Sequence, residues 1–129
     1  MTIKEVEHIA VASNSVEDSD KFFIELLGLK KVKDFLLPLD LTKKLFEINK
    51  EQRIVRYSSD KIIAEIYITD DNSKAKDVFT HPCIIIDDRE KLIEKATSMG
   101  FPIIKALRKD RDDYILFIKD FFGNLYEIK

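Results

Sequence analysis

The chain has 129 residues, 45% of them hydrophobic and 36% charged, enough for one substantial core under a heavily solvated surface. Its 22 basic and 24 acidic residues nearly cancel, and no basic stripe is interleaved with aromatics, which argues against a nucleic-acid partner. Apolar runs such as Phe35-Leu36-Leu37-Pro38-Leu39 are too short to span a bilayer. Met1–Glu5 has no signal-peptide core, and the single cysteine, Cys83, cannot form an internal disulfide, so a cytoplasmic location is expected.

Residues 6–12 alternate as a half-buried strand does, with Glu7, Ile9 and Val11 on one side and Val6, His8 and Ala10 on the other. Ser15 then offers a capping oxygen to a helix whose first turn holds Glu17 and Asp18. Its apolar stripe is Val16, Phe22, Phe23, Leu26 and Leu27, and Gly28 suits the left-handed residue that ends it. Strands are predicted near 30–36, 44–49, 52–58 and 61–69, joined by polar turns such as Ser58–Lys61. The polar, periodicity-free segment 70–80 reads as a linker.

The second half runs in the same order. A nearly wholly apolar strand is predicted over 82–86, and a helix follows it, with Asp87 as cap and Glu90 three residues later. Leu92, Ile93, Ala96 and Met99 form the stripe of that helix, and Gly100 ends it. Strands are predicted at 102–108, 113–119 and 124–128, with a tight turn at Lys119–Asn124. The order β-α-β-β-β is thus expected twice, module one at about 1–70 and module two at about 80–129, within one domain. A unit that cannot bury its sheet alone is expected to pair with its copy.

Both histidines of the chain open these modules. Twenty residues separate His8 from Gly28, and nineteen separate His81 from Gly100. The modules also end alike, each with one acid in an apolar strand: Glu65 in Ile62–Ile68 and Glu127 in Leu125–Ile128. A carboxylate inside a sheet is costly to desolvate and needs a cation, a hydrogen-bond donor or water. Period two sets Glu65 opposite Ala64, Ile66 and Ile68, and Glu127 opposite Tyr126 and Ile128, so the apolar neighbours can face a helix while the acids face away. His8, Glu65, His81 and Glu127 make a donor set suited to one divalent ion, namely Zn, Ni, Co, Mn or Fe rather than Ca. The competing reading treats the acids as edge-strand surface residues and the histidines as incidental.

The stretches His8–Val11, Lys21–Leu29 and Phe117–Ile128 resemble the vicinal oxygen chelate superfamily, which includes glyoxalase I, methylmalonyl-CoA epimerase, extradiol dioxygenases and the bleomycin- and fosfomycin-resistance proteins. The resemblance covers about the full length. It implies an α+β fold of two βαβββ modules pairing into a curled, partly open mixed-sheet cleft, with helices outside. It also implies metal ligands at His8, Glu65, His81 and Glu127. The chain departs from the family's usual Asp-Pro-Asp-Gly-Asn turn at Asp120-Phe121-Phe122-Gly123-Asn124. Gly123 can still take the positive φ a hairpin needs, and the two phenylalanines are expected to pack against something, such as a partner subunit.

Four ligands leave two adjacent positions on an octahedral ion, which favours proton transfer over oxygenation; ring-cleaving dioxygenases keep a further position for O₂ with two histidines and one carboxylate. The resemblance therefore implies a metal-dependent glyoxalase I-like lyase or isomerase that works through a metal-stabilised enediolate. Glu127 is expected to handle the proton, with Glu65 second. The alternatives are a methylmalonyl-CoA epimerase-like isomerase, an extradiol dioxygenase-like oxygenase and a non-enzymatic drug-binding protein. The expected substrate is a small molecule of hemithioacetal or acyl-CoA type, and the expected assembly is a homodimer, with the site inside one chain or made by modules exchanged between chains. Arg53, Arg56, Arg108, Lys109 and Arg111 are candidates to meet an anionic substrate. Cys83 is expected to be a small buried core residue on the face of His81, and Tyr67 and Phe117 to line the cleft.

Overall fold

The computed structural model describes residues 1–75, 77–108 and 111–129. The fold is α+β and divides into two compact units, Met1–Asn72 and Ser73–Lys129, each of which carries one four-stranded mixed sheet.

In the first unit the order is β1 (Ile9–Ser13), α1 (Val16–Asp20, continued by a π-helical stretch Lys21–Leu26), β2 (Lys30–Leu37), α2 (Leu39–Phe46), β3 (Gln52–Ser58) and β4 (Ile63–Ile68). The sheet order is β1-β4-β3-β2, with β1 parallel to β4 and the other pairs antiparallel. Ser15 caps α1 as the sequence predicts, its Oγ accepting from the Asp18 N–H at 3.1 Å. The helix then widens: the Leu27 N–H reaches back five residues to the Phe22 carbonyl at 3.1 Å. The wider turn accommodates two successive phenylalanines, Phe22 and Phe23, both fully buried. On the sheet Tyr57, Ala64 and Ile66 are completely buried, and Phe23 stacks on Tyr57 at 5.1 Å.

The strand predicted at 44–49 is absent; α2 occupies the first half of that stretch. Pro38 caps the helix with a φ of −59°, and Thr42 Oγ1 donates to the carbonyls of Pro38 at 3.1 Å and Leu37 at 3.3 Å. Glu47, left-handed at φ 60°, stops it before Ile48. The apolar residues Leu45, Phe46 and Ile48 imitate alternation while belonging to a helix end. Without that strand the unit has four strands, and α2 is inserted between the second and the third of them.

The second unit repeats the plan with β5 (Cys83–Ile84), α3 (Arg89–Met99), β6 (Ile103–Leu107), β7 (Tyr114–Lys119) and β8 (Leu125–Ile128), in the sheet order β5-β8-β7-β6. β5 is shorter than predicted because only Cys83 and Ile84 pair fully with β8. Flanking bonds from Glu127 N–H to Pro82 O at 3.0 Å and from Ile86 N–H to Lys129 O at 2.7 Å extend the parallel association. The helix cap is Asp88 rather than Asp87, with its side chain accepting from the Lys91 N–H at 3.0 Å. Leu92 and Ala96 are the buried stripe, and Leu116, Ile118, Tyr126 and Ile128 are buried on the sheet. Gly28 and Gly100 end the two helical segments at φ 76° and 84°, where a Cβ would be strained.

The two phenylalanines of the final turn pack inside their own unit, in line with the expectation that they pack against something. Phe121 stacks on Phe101 at 4.3 Å, Phe122 is buried, and the Phe122 carbonyl accepts from the Ala75 N–H at 2.9 Å. The Lys74 ammonium donates to the Phe121 carbonyl. Part of the segment read as linker thus straps the closing hairpin, at whose tip Gly123 adopts φ 99°.

Candidate metal centre

In each unit the parallel pairing of the first and last strands sets a histidine beside a carboxylate. Ala10 lies across from Glu65, and Cys83 lies across from Glu127. His8 and His81 each stand two residues earlier, on the same side of the strand by period two. The outcome is a repeated pair: His8 Nε2 is 3.1 Å from Glu65 Oε1, and His81 Nε2 is 3.5 Å from Glu127 Oε1.

The other ring nitrogen is engaged in both cases. His81 Nδ1 lies 2.7 Å from the Phe79 carbonyl, which only accepts, so this nitrogen carries the hydrogen. His8 Nδ1 lies 3.1 Å from Glu7 Oε1. With Nδ1–H donating, the Nε2 of a neutral ring presents a lone pair to a carboxylate oxygen. Two acceptors in that position call for a cation, either a second proton on the ring or a metal ion. An Nδ1 hydrogen bond to an oxygen is the arrangement that orients metal-ligating histidines. Ligand atoms about 2.1 Å from an ion are separated by about 3.0 Å at right angles and about 3.4 Å at tetrahedral angles. Taken singly, each pair has the donor types and the spacing of two ligands of a divalent ion. No group of three or more histidine, cysteine, aspartate or glutamate side chains among the described residues is arranged to hold an ion.

The two carboxylates differ in their surroundings. Glu65 is buried, and its Oε2 accepts from Arg56 Nη2 at 2.6 Å and Nε at 3.1 Å, leaving Oε1 for His8. Glu127 is more open, with 21% of its side chain exposed; besides His81 it has, among the described residues, a long contact to Lys129 Nζ at 3.9 Å and one to Cys83 Sγ at 3.7 Å. Cys83 is exposed rather than a buried core residue, because β5 is an edge strand of its sheet. Its thiol pKa is raised by desolvation first and then by the Glu127 charge. Tyr67 falls on the face of Glu65 and packs edge-on against Phe46 at 5.3 Å. Phe117 meets the His81 ring edge-on at 4.9 Å.

The cationic candidates separate by partner. Arg53 forms a two-point pair with Asp34, at 2.7 and 3.0 Å, and that bond holds the Asp34 carboxyl below its ordinary pKa. Arg56 belongs to Glu65 instead of standing open to a ligand. Arg108 and Arg111 line a cavity that also reaches Glu127, and Lys109 lies outside the described residues. The sequence did not reveal Arg56 as the partner of Glu65, because that pairing depends on the β3–β4 register.

Two copies of one mixed-sheet unit, each with a histidine–carboxylate pair on corresponding strands, define a paired-module α+β protein with candidate metal ligands. The sequence model of the Glyoxalase/Bleomycin resistance protein/Dioxygenase superfamily matches residues 5–128, and the chain belongs to that superfamily. Its fold is similar to that of a glyoxalase family protein from Enterococcus faecalis, with a TM-score of 0.74 at 17% identity over 99% of this chain and 98% of that one. It is also similar to the fosfomycin resistance protein FosX from Mesorhizobium loti, with a TM-score of 0.70 at 15% identity over 98% and 91% of the chains. FosX from Listeria monocytogenes, in a structure complexed with Mn(II) and sulfate, has a TM-score of 0.70 at 12% identity over 98% and 92%. No curated protein matches the chain. Among the described residues no helix is long and apolar enough to cross a membrane.

Proposed function

We propose that this protein is a divalent-metal-dependent lyase or isomerase of glyoxalase I type, with His8, Glu65, His81 and Glu127 as its metal-ligating side chains. The observation that carries the reading is the repeated pair: twice, an imidazole held through Nδ1 turns Nε2 to a carboxylate oxygen, at 3.1 and 3.5 Å. When bound, a divalent ion supplies Lewis acidity, polarising a carbonyl oxygen so that the neighbouring C–H becomes acidic. Glu127 is the carboxylate that takes the proton from that carbon and returns it to the adjacent one. Its Oε2 has no short cationic partner among the described residues, whereas Glu65 is committed through Oε2 to Arg56. Glu7 and the Phe79 carbonyl orient the two imidazoles.

The test begins with metal analysis of protein purified without added metal, followed by Glu127→Gln. Stoichiometric metal, weakened by the replacement, and isomerisation of a thiol–methylglyoxal hemithioacetal are expected. Absence of metal, or unchanged metal affinity in the variant, overturns the reading. Deuterium exchange at the α-carbon of methylmalonyl-CoA without hemithioacetal turnover would assign the epimerase-like chemistry instead.

One observation favours a second reading. If the Arg56 bond keeps Glu65 from acting as a ligand, two histidines and Glu127 remain, the donor set of non-haem iron oxygenases. Glu65→Gln then leaves metal affinity unchanged, and oxygen is consumed with catechols.

A further inference from the structure

A cavity of about 300 Å³ in the second unit adjoins Glu127 and is lined by Arg89, Arg108, Arg111, Tyr114 and Lys129 as well. Arg89 is already committed: it donates to Asp113 Oδ1 at 2.9 Å and to the Tyr114 carbonyl at 3.1 Å, and its guanidinium lies 4.0 Å over the Tyr114 ring. Lys129 is held only loosely by Glu127, at 3.9 Å. Arg108 differs from both, since its Nε is buried and has no hydrogen-bond partner among the described residues. A guanidinium N–H removed from water without an acceptor is costly, and the planar fork around it matches the oxygens of a carboxylate or phosphate. Asp113 and Glu127 are the carboxylates among the lining residues, and Asp113 is taken by Arg89. The cavity therefore holds an excess of cationic donors at the edge of the proposed proton-transfer site.

We propose that this cavity is an oxyanion subsite, in which Arg108, assisted by Arg111 and Lys129, holds a carboxylate or phosphate group of the small molecule whose proton Glu127 handles. The assignment rests on the proposed function and names its substrate class: an anion whose charged end lies apart from the reacting carbon. Arg89 acts as a positioning residue, bracing the wall through Asp113 and Tyr114.

The experiment uses the full chain, isotope-labelled and kept metal-free by a chelator. It is titrated with inorganic phosphate and separately with acetate, at an ionic strength held constant with chloride. Saturable shifts are expected at the Tyr114, Ile115 and Ile128 amides and at the Arg108 Nε–H, and Arg108→Gln is expected to weaken binding about tenfold. Phosphate binding without acetate binding assigns a phosphate-bearing substrate; binding of both assigns a carboxylate-tolerant subsite. Arg53→Gln, far from this unit in sequence and paired elsewhere, leaves the titration unchanged. If Arg108→Gln disturbs the fold, Arg111→Gln, at an exposed position, must still weaken binding. Shifts that fail to saturate, or that persist in the arginine variants, overturn the subsite. Because metal is excluded, failure here leaves the metal-dependent reading standing, and phosphate binding by a protein that never binds metal overturns that reading alone.

Discussion

Arg56 stands across from Glu65 in the β3–β4 ladder as Phe117 stands across from Glu127 in the β7–β8 ladder. Corresponding positions of the two modules thus hold a guanidinium in one and a phenyl ring in the other. Arg56 satisfies one oxygen of a buried carboxylate, and Phe117 leaves its carboxylate without that partner while packing on the neighbouring imidazole. The duplication conserves the pair of donors and differentiates their surroundings. One acid is anchored by a guanidinium, and the other has a phenyl ring across from it instead.

The first prediction concerns the anchor. Arg56→Met strands a buried carboxylate and is expected to lower stability by about 1–3 kcal/mol, below the full cost of breaking a buried pair because about a third of the Arg56 side chain is exposed. Glu65→Gln in the same chain is expected to recover part of the loss. Chemical denaturation of both single variants and the double variant, in chelator, measures the coupling. Simple additivity would show that the pair is not an energetic unit.

Phe117→Arg copies the module-one arrangement into module two. A guanidinium opposite Glu127 would hold the carboxylate as Arg56 holds Glu65, so turnover is expected to fall about 100-fold with the fold intact. Phe117→Leu, which adds no charge, is the control and is expected to retain most activity. Equal activity in the arginine and leucine variants would remove Glu127 from the proton-transfer role.

Much of this arrangement is legible in the amino-acid sequence. The His8 and His81 repeats, the helix-ending glycines and the lone acids in β4 and β8 all follow from short-range pattern. Segment 44–49 reads as a strand because Phe46 and Ile48 imitate period two, while the deciding signal, Pro38 at a helix start, lies six residues upstream. The Asp87 cap was misplaced by one residue because Asp87 and Asp88 offer the same chemistry, and only the approach of the Lys91 N–H distinguishes them. The partnership of Arg56 with Glu65 was out of reach, since cross-strand register is a tertiary property. Cys83 was misjudged for a related reason: its exposure follows from the edge position of β5.

Asp120 organises the closing turn. Its Oδ1 accepts from the N–H groups of Phe122, Gly123 and Asn124, and its Oδ2 accepts from Asn124 Nδ2 and the Tyr126 hydroxyl, all between 2.9 and 3.0 Å. Asp120→Ala leaves these donors unsatisfied and is expected to cost about 2–4 kcal/mol in chemical denaturation. Burial, opposed by these hydrogen bonds, raises the Asp120 pKa. The associated stability is full below the ordinary carboxyl value and is lost as pH rises through the raised one. Asp120→Asn, which removes the charge and can keep the Oδ1 bonds, is therefore expected to cost less at neutral pH than in acid. A cost that grows with pH would contradict the buried-charge account.

Asp77 shows the opposite sign at the turn that leads into His81. Its carboxylate accepts from the Thr80 hydroxyl and from the N–H groups of Phe79 and Thr80, and these bonds, the hydroxyl bond foremost, lower its pKa from 3.8 to about 2. The folded value lies below the unfolded one, so the stabilising effect is complete above the ordinary value and is lost as pH falls through about 2. Thr80→Val removes the leading cause and is expected to move the Asp77 titration back towards 3.8 without unfolding the unit, as followed by the carboxyl carbon shift. An unmoved titration in that variant would mean that the backbone bonds alone set the value, and the hydroxyl would then have no part in holding the approach to His81.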